Sequence, residues 1–239
     1  MCIRDRGYGA MVFNALGPDN EFRKDAMAKG LSVLEKINKQ CLEENIDTKG
    51  LAKEIYRSTA ENSEEDQLAG MLVRSLLSAG IDTTVSAIGN LLWCFAENPE
   101  QFQLVKDDKS LVGNAVEESL RLTSPVKAFC RTSATDTEVS GVTIEEGTKI
   151  LCVLGSANTD PEVWENSYKY DVTRRTIGHL ALGVGVHNCV GQTLARAEIT
   201  ALASSLTELV KVIKPVGKAT WKPNNAMRSL ESLPIILET

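Results

Sequence analysis

Residues 63–98 constrain the fold most. They read as one long helix, closed at Pro99, because proline disfavours helical backbone at the residue before it. Ser63 followed by Glu64, Glu65 and Asp66 is a start signature: a capping hydroxyl, then acids that complement the helix dipole. The middle of the segment is apolar nearly all round, with Leu68, Met71, Leu72, Leu76, Leu77, Ile81, Val85, Ile88, Leu91 and Leu92. A helix of that kind is the central buried element of a domain. Arg74, Asp82 and Asn90 interrupt it, so the run of ~20 clean apolar residues that spans a bilayer is missing. Inside it lies Ala79-Gly80-Ile81-Asp82-Thr83-Thr84, where an acid and two hydroxyls are costly unless partnered. Thr83 can bond back to the carbonyl of Ala79 and loosen the helical ladder. Two readings stay open: a self-satisfied kink, or a polar notch whose carboxylate and hydroxyl relay protons into a dry site.

The rest of the chain predicts a mainly α fold with a small β component. Residues 21–46 read as a helix with Leu31, Leu34 and Ile37 on one face, and 48–60 as a shorter one. A further helix over 111–122 ends at Ser124-Pro125. Residues 126–153 carry short β-like runs with Gly141 and Gly147 as turns. Residues 161–176 have little regular pattern. A glycine-rich loop over 183–191 leads into a last helix over 190–210, and the tail predicts short strands. With 239 residues and 43% apolar content the chain can build a sizeable core without disulfides. Its net charge of −6 speaks against non-specific nucleic-acid binding. Six scattered cysteines with no CxxC pair and no readable export signal predict reduced thiols in the cytoplasm. The opening MCIRDRG differs in texture from the rest of the chain, so residues 1–7 are expected to be a non-native leader.

Two more segments carry chemistry. Leu182-Gly183-Val184-Gly185-Val186-His187-Asn188-Cys189-Val190-Gly191 places a cysteine among glycines at the mouth of a helix. Glycine allows sharp turns and close backbone approach to a bulky group. The unpaired N–H groups and positive dipole end of the helix favour a thiolate, a good metal ligand or nucleophile. A buried cysteine beside a tight turn is the plainer reading. Glu118-Ser119-Leu120-Arg121 is an i,i+3 acid–base pair, which alone is most often a surface ion pair worth a few tenths of a kcal/mol.

In this order and spacing the three segments resemble the cytochrome P450 family of haem-thiolate monooxygenases, C-terminal half. The resemblance implies that fold, with a long central helix, a cysteine-ligand loop and the helix after it. It implies haem b as cofactor, with Cys189 as the axial thiolate to iron. Gly183, Gly185 and Gly191 shape the loop, and His187 and Arg131 match positions that meet the haem propionates. Asp82 and Thr83 match the acid–alcohol pair that feeds protons to iron-bound dioxygen. Glu118 and Arg121 match a structural pair. Two departures stand out. Leu182 replaces the signature's phenylalanine, which implies an altered redox potential. Lys169 occupies the position expected of a third, arginine member of the Glu118–Arg121 network, and lysine cannot supply a bidentate fork.

Finer text sharpens the substrate expectation. F-N-A-L-G-P at 13–18, L-V-R-S-L-L-S-A-G-I-D-T-T at 72–84, A-N-T-D-P at 157–161 and N-N-A-M-R-S-L at 224–230 resemble a bacterial subgroup that oxidises para-substituted benzoic acids, typically by O-demethylation. In that subgroup the positions of Arg74, Ser75 and Ser78 hold the carboxylate, while Val126 and Phe129 line the apolar pocket. Ser75, Ala79 and Thr83 are spaced by four and share a helix face, over about 12 Å. From the residues alone, Arg74 fits an ion pair with a neighbouring acid equally well. The resemblance implies a soluble enzyme that uses O2, a small aromatic acid and a ferredoxin-type electron donor, with no nucleic acid and no membrane. A basic surface at Arg174 and Arg175 is a candidate for the acidic partner, with a solvated charge cluster as the plainer reading.

Family members are about twice this long, so residues 8–239 are expected to be a partial domain lacking its N-terminal half. Three readings compete: an oxygen-activating enzyme, a haem-binding module or truncated fragment without turnover, and a helical interaction protein with coincidental motifs. Motif order and spacing argue against the last.

Overall fold

The computed structural model describes residues 6–60 and 68–239. The start signature at Ser63 lies outside the described residues, as do the first five residues of the expected leader. The chain divides into two compact units, residues 1–82 and 83–239.

The first unit is helical. Helix α1 (Arg6–Ala15) begins inside the expected leader, and α2 is Glu21–Gln40. Asn20 caps α2 by accepting from the Arg23 backbone N–H at 3.1 Å, so the short polar side chain defines the helix start. α2 ends at Gln40, earlier than the sequence reading, and a single 3₁₀ turn follows at Glu43–Asn45. α1 lies close on α2: a Cβ on Gly30 would fall 2.4 Å from the Met11 Cβ, so glycine is required at that crossing. Helix α3 (Leu51–Ala60) follows, and α4 (Ala69–Glu97) is the long helix expected from the sequence. Tyr8, Met11, Ile37, Cys41, Tyr56, Ala69 and Val73 form the unit's core. The Tyr56 hydroxyl donates to the Cys41 carbonyl at 2.7 Å, which satisfies its one polar atom in that core.

Burial along α4 is uneven. Val73, Ala87, Leu91, Cys94 and Phe95 are buried, whereas Leu68 beside its start, and Met71, Leu72 and Val85 within it, are exposed. By length and composition α4 would pass as a membrane-crossing helix, with a mean hydropathy of 1.2. Leu91, Cys94 and Phe95, at 0% exposure, instead sit in a protein core.

The second unit holds the last part of α4 and everything after it. Pro99, read above only as a stop, is also a start. It occupies the first turn of α5 (Pro99–Asp107), where its missing N–H costs nothing. Helix α6 (Val112–Thr123) ends at Ser124, whose φ of +42° is a left-handed cap closed by Ser124 N–H to the Leu120 carbonyl at 2.9 Å. Among the described residues the β component is four antiparallel two-stranded sheets. β1 (Phe129–Thr132) pairs with β4 (Lys149–Cys152), and β2 (Thr137–Val139) with β3 (Val142–Ile144). After the short α7 (Leu154–Ala157) comes an irregular stretch, then the cysteine loop and α8 (Gln192–Leu209). In the tail, β5 (Val212–Pro215) pairs with β8 (Ile235–Glu238), and β6 (Thr220–Lys222) with β7 (Ser229–Ser232). The core joins Leu91, Phe95, Phe102, Val116, Leu120, Tyr170, Ile199 and Ala203, so α4, α5, α6 and α8 converge behind the irregular stretch.

Candidate functional site: the cysteine loop and its buried support

The support lies behind the loop, on α6. Glu118 and Arg121 are both fully buried there, so their pairing is no surface ion pair. Arg121 grips Glu118 with a fork: Nε to Oε2 at 2.7 Å and Nη2 to Oε1 at 2.8 Å. Its remaining nitrogen, Nη1, donates to the carbonyls of Asn158 at 2.6 Å and Ser167 at 2.8 Å. The guanidinium also stands over the Trp164 ring, 5.3 Å from its centroid. A buried charge pair offsets its desolvation only when its remaining donors and acceptors are satisfied, and here they are. Asn158 carries the order onward: its Oδ1 accepts from the Leu180 N–H at 2.6 Å, two residues before the loop begins.

The third member of this network is Arg174, not Lys169. Arg174 Nε donates to Glu118 Oε1 at 3.0 Å, and its other nitrogens reach the carbonyls of Glu165, Asn166 and Lys169. Lys169 is exposed and contributes its carbonyl. The irregular backbone over 165–174 turns Arg174 back onto α6, a register that no periodic pattern encodes. Arg174 therefore belongs to the interior, with its side chain 11% exposed, and not to a basic docking surface. Arg175 is exposed.

The cysteine loop itself is built on close backbone approach. Gly183 has φ +76°, and a Cβ there would fall 2.5 Å from the His187 carbonyl oxygen, so glycine is required. Gly185 has φ +62° with open space beside it, and opens the 3₁₀ turn Gly185–His187. The Cys189 N–H donates to the Leu182 carbonyl at 2.8 Å, closing the loop on itself. Cys189 is half-buried, with Val186 96% and Val190 83% exposed on either side of it. Gly191, φ −87°, caps α8 and meets no close neighbour. Leu182, the departure from the signature, packs half-buried against the main core. His187 is exposed on the same loop. Arg131 is exposed on β1, where its Nη1 donates to the Cys130 carbonyl at 3.0 Å.

A carboxylate that sequence reasoning missed stands beside this support. Glu117 accepts from Arg196 Nε at 2.6 Å and from His179 Nε2 at 2.9 Å. Burial pushes its pKa up, but hydrogen bonds from His179 and Arg196 outweigh that and hold it at about 2.

In the first unit, α4 runs unbroken through residues 79–82. The Asp82 carboxylate sits against α1, so close that a Cβ on Gly9 would fall 1.8 Å from Oδ2. Arg74 is half-buried and donates to the Asn38 side-chain oxygen, an amide and not a neighbouring acid, the plainer of its two readings. Ser75 is exposed and bonds back to the Met71 carbonyl at 2.8 Å, and buried Ser78 bonds to the Ser75 carbonyl at 2.9 Å. Both serines are thus satisfied by their own helix. Ala79 is exposed. In the second unit Thr83 is half-buried on α4, Val126 forms an isolated bridge with Met227, and Phe129 opens β1, half-buried.

Comparison with known proteins decides the family. Residues 11–235 match the family profile described as Cytochrome P450. The chain is 43% identical over 230 residues to cytochrome P450 CYP199A2 of Rhodopseudomonas palustris, covering 96% of this chain and 56% of that one. It is 34% identical to cytochrome P450-terp of a Pseudomonas species, over 80% of this chain and 46% of that one. The solved structure of cytochrome P450 CREJ in complex with (4-ethylphenyl) dihydrogen phosphate superposes with a TM-score of 0.87 at 26% identity. That superposition covers 98% of this chain and 60% of the other. The chain belongs to the cytochrome P450 family. It spans about half the length of the curated relatives it matches. A cytochrome P450 carries haem held by an axial cysteine thiolate. The loop fits such a group: a half-buried thiol on a backbone that glycine brings close, with an apolar rim.

Proposed function

We propose that the chain carries the cysteine-loop side of a haem-thiolate monooxygenase that inserts one oxygen atom from O2 into a small organic substrate. The observation that carries this reading is the closed loop at residues 182–191, which Glu118, Arg121 and Arg174 support from behind. The haem, when bound, supplies O2 activation and O–O cleavage, favoured by thiolate ligation. Cys189 would hold the iron, Gly183, Gly185 and Gly191 would let the backbone approach the group, and His187 and Arg131 would hold its carboxylates. Asp82 and Thr83 would hold and pass protons. The two electrons come from a ferredoxin-type donor.

The substrate we propose is an aromatic carboxylic acid of the para-substituted benzoate class, hydroxylated or O-demethylated. In the first unit, Arg74, Ser75, Ser78 and Ala79 would bind a carboxylate, with the Asn38 bond of Arg74 yielding to it. In the second unit, Val126 and Phe129 would bind an apolar ring. The CREJ complex supports this class, since its ligand is a para-substituted aromatic with an anionic head group. The proposed setting is the cytoplasm, without membrane or nucleic acid.

A second reading rests on the exposure of Val186, Val190 and Leu194, all above 60%. On it, this chain binds haem without enclosing substrate and turns nothing over. Titrating the haem-loaded chain with para-methoxybenzoate separates the two. A saturable shift of the haem spectrum, lost in Arg74→Ala, supports the substrate reading. Haem binding with no shift at any concentration supports the module.

A further inference from the structure

Glu117 and Glu118 are neighbours on α6, so their side chains leave the helix about 100° apart. Glu118 turns inward to Arg121 and Arg174. Glu117 turns to a different pair of partners, and those partners flank the cysteine loop. His179 lies ten residues before Cys189, and Arg196 lies seven after it, on the second turn of α8.

The geometry is that of a completed clamp. Arg196 grips Glu117 with two nitrogens, Nε to Oε1 at 2.6 Å and Nη2 to Oε2 at 3.1 Å. His179 Nε2 donates to Oε2 at 2.9 Å. The other ring nitrogen, Nδ1, accepts from the Ala181 N–H at 3.2 Å, which places the neutral ring's proton on Nε2 and aims it at the carboxylate. Arg196 Nη1 is satisfied by Gln192 Oε1 at 2.7 Å. The His179 side chain is 5% exposed and Glu117 24%, so their bond is shielded from competing water, while Arg196, at 36%, closes the clamp from the solvent side.

Residues 184–188 of the loop between the two partners are exposed, and Val186 is almost fully so. The Cys189-to-Leu182, Asn188-to-Gly185 and Gly183-to-Leu180 backbone bonds and the Gly183 crossing fix its shape. Its entry is attached by the Leu180 bond to Asn158 and by Ala181 and Leu182 in the core. Glu117 adds attachment on both sides of Cys189 at once.

We propose that Glu117 is a positioning residue: through His179 and Arg196 it clamps the base of the cysteine loop and so sets where Cys189 presents its sulfur. This rests on the haem-thiolate reading for its purpose, though not for its geometry.

The test uses the intact haem-free chain. Alkylation by iodoacetamide is followed by peptide mass spectrometry at Cys189 and at Cys94, which is fully buried in the core of the same unit. Loosening of the loop accelerates Cys189 alone, whereas general destabilisation accelerates both. Glu117→Ala is expected to raise the Cys189 rate about tenfold at constant Cys94 rate. Glu117→Gln, isosteric and still able to accept from Arg196, is expected to fall between it and the parent. An unchanged Cys189 rate overturns the clamp, as does a rise at Cys94 in step with Cys189 in the Gln variant. In a second arm the chains are loaded with haem, reduced and exposed to carbon monoxide. The Ala variant is expected to show a smaller share of the red-shifted, thiolate-ligated Soret band than the parent, and an equal share overturns the proposal. A parent chain with no such band defeats the haem-thiolate reading, and the alkylation arm still decides the clamp.

Discussion

Arg174 Nε stands 3.0 Å from Glu118 Oε1, across 56 residues of chain, and completes an acid held by two guanidinium groups. The contact ties the irregular stretch before the cysteine loop to α6. Removing one partner leaves part of a buried carboxylate unpaired, and hydrogen bonds to charged groups are worth about 1.5–3 kcal/mol each. Arg174→Ala is therefore expected to cost about 2–3 kcal/mol in urea unfolding. Lys169→Ala is expected to stay within about 0.5 kcal/mol, as an exposed side chain should. The reverse ranking would return the third position to Lys169.

The glycines of the cysteine loop are not equivalent. Gly183 has a left-handed φ and a carbonyl where a Cβ would go, whereas Gly191 has neither. Gly183→Ala combines steric overlap with backbone strain and is expected to destabilise by about 2–4 kcal/mol. Gly191→Ala is expected to cost about 1 kcal/mol or less, the loss of a favourable cap residue. Thermal unfolding of the two variants side by side checks the contrast.

Acid should act through Glu117. Its folded pKa of about 2 lies below the ordinary value of about 4.3, so the folded state favours the ionised form. The resulting stabilisation is fully present above about pH 4.3 and is lost as the pH falls toward 2. After allowance for partial exposure it amounts to about 2 kcal/mol. Glu117→Gln is expected to flatten the stability–pH curve between about pH 4.3 and about pH 2. A variant curve parallel to the parent's across that window would contradict the assignment.

Gly9 is packed more tightly than Gly30, the other close glycine crossing of the first unit. With the Asp82 carboxylate 1.8 Å from the place of its absent Cβ, Gly9→Ala must move either α1 or Asp82. The expected cost is about 1–3 kcal/mol, the usual range for overpacking. Hydrogen exchange of residues 6–15 and 79–82 in that variant should rise together. Unchanged protection in both segments would show that the contact is not a constraint.

How legible each element was in the sequence depends on the kind of signal it carries. The long helix was legible because its apolar residues recur locally, and the turn at residues 182–191 because its glycines lie within a few residues of each other. Glu118 and Arg121 were legible as a pair, but their complete burial was not, since i,i+3 acid–base pairs are mostly surface features. Arg174 was missed because its partner lies 56 residues away, across a stretch with no periodicity. The same kind of separation hid the Glu117 clamp, although a histidine and an arginine flanking the cysteine loop were the available cue. α5 was missed because Pro99 was read as the end of one helix and not also as the start of the next. The substrate positions on α4 were read as a carboxylate-binding group, while in the structure Ser75 and Ser78 are satisfied by their own helix and Arg74 by Asn38.

The proposed function depends on Cys189 being the axial ligand of a haem. The decisive measurement is the absorption spectrum of the haem-loaded chain, reduced and exposed to carbon monoxide, beside the same spectrum of Cys189→Ser. A strongly red-shifted Soret band in the parent chain, lost in the variant, is the expected result. A parent spectrum identical to that of the variant, or of free or histidine-ligated haem, would remove Cys189 from the iron and the monooxygenase reading with it.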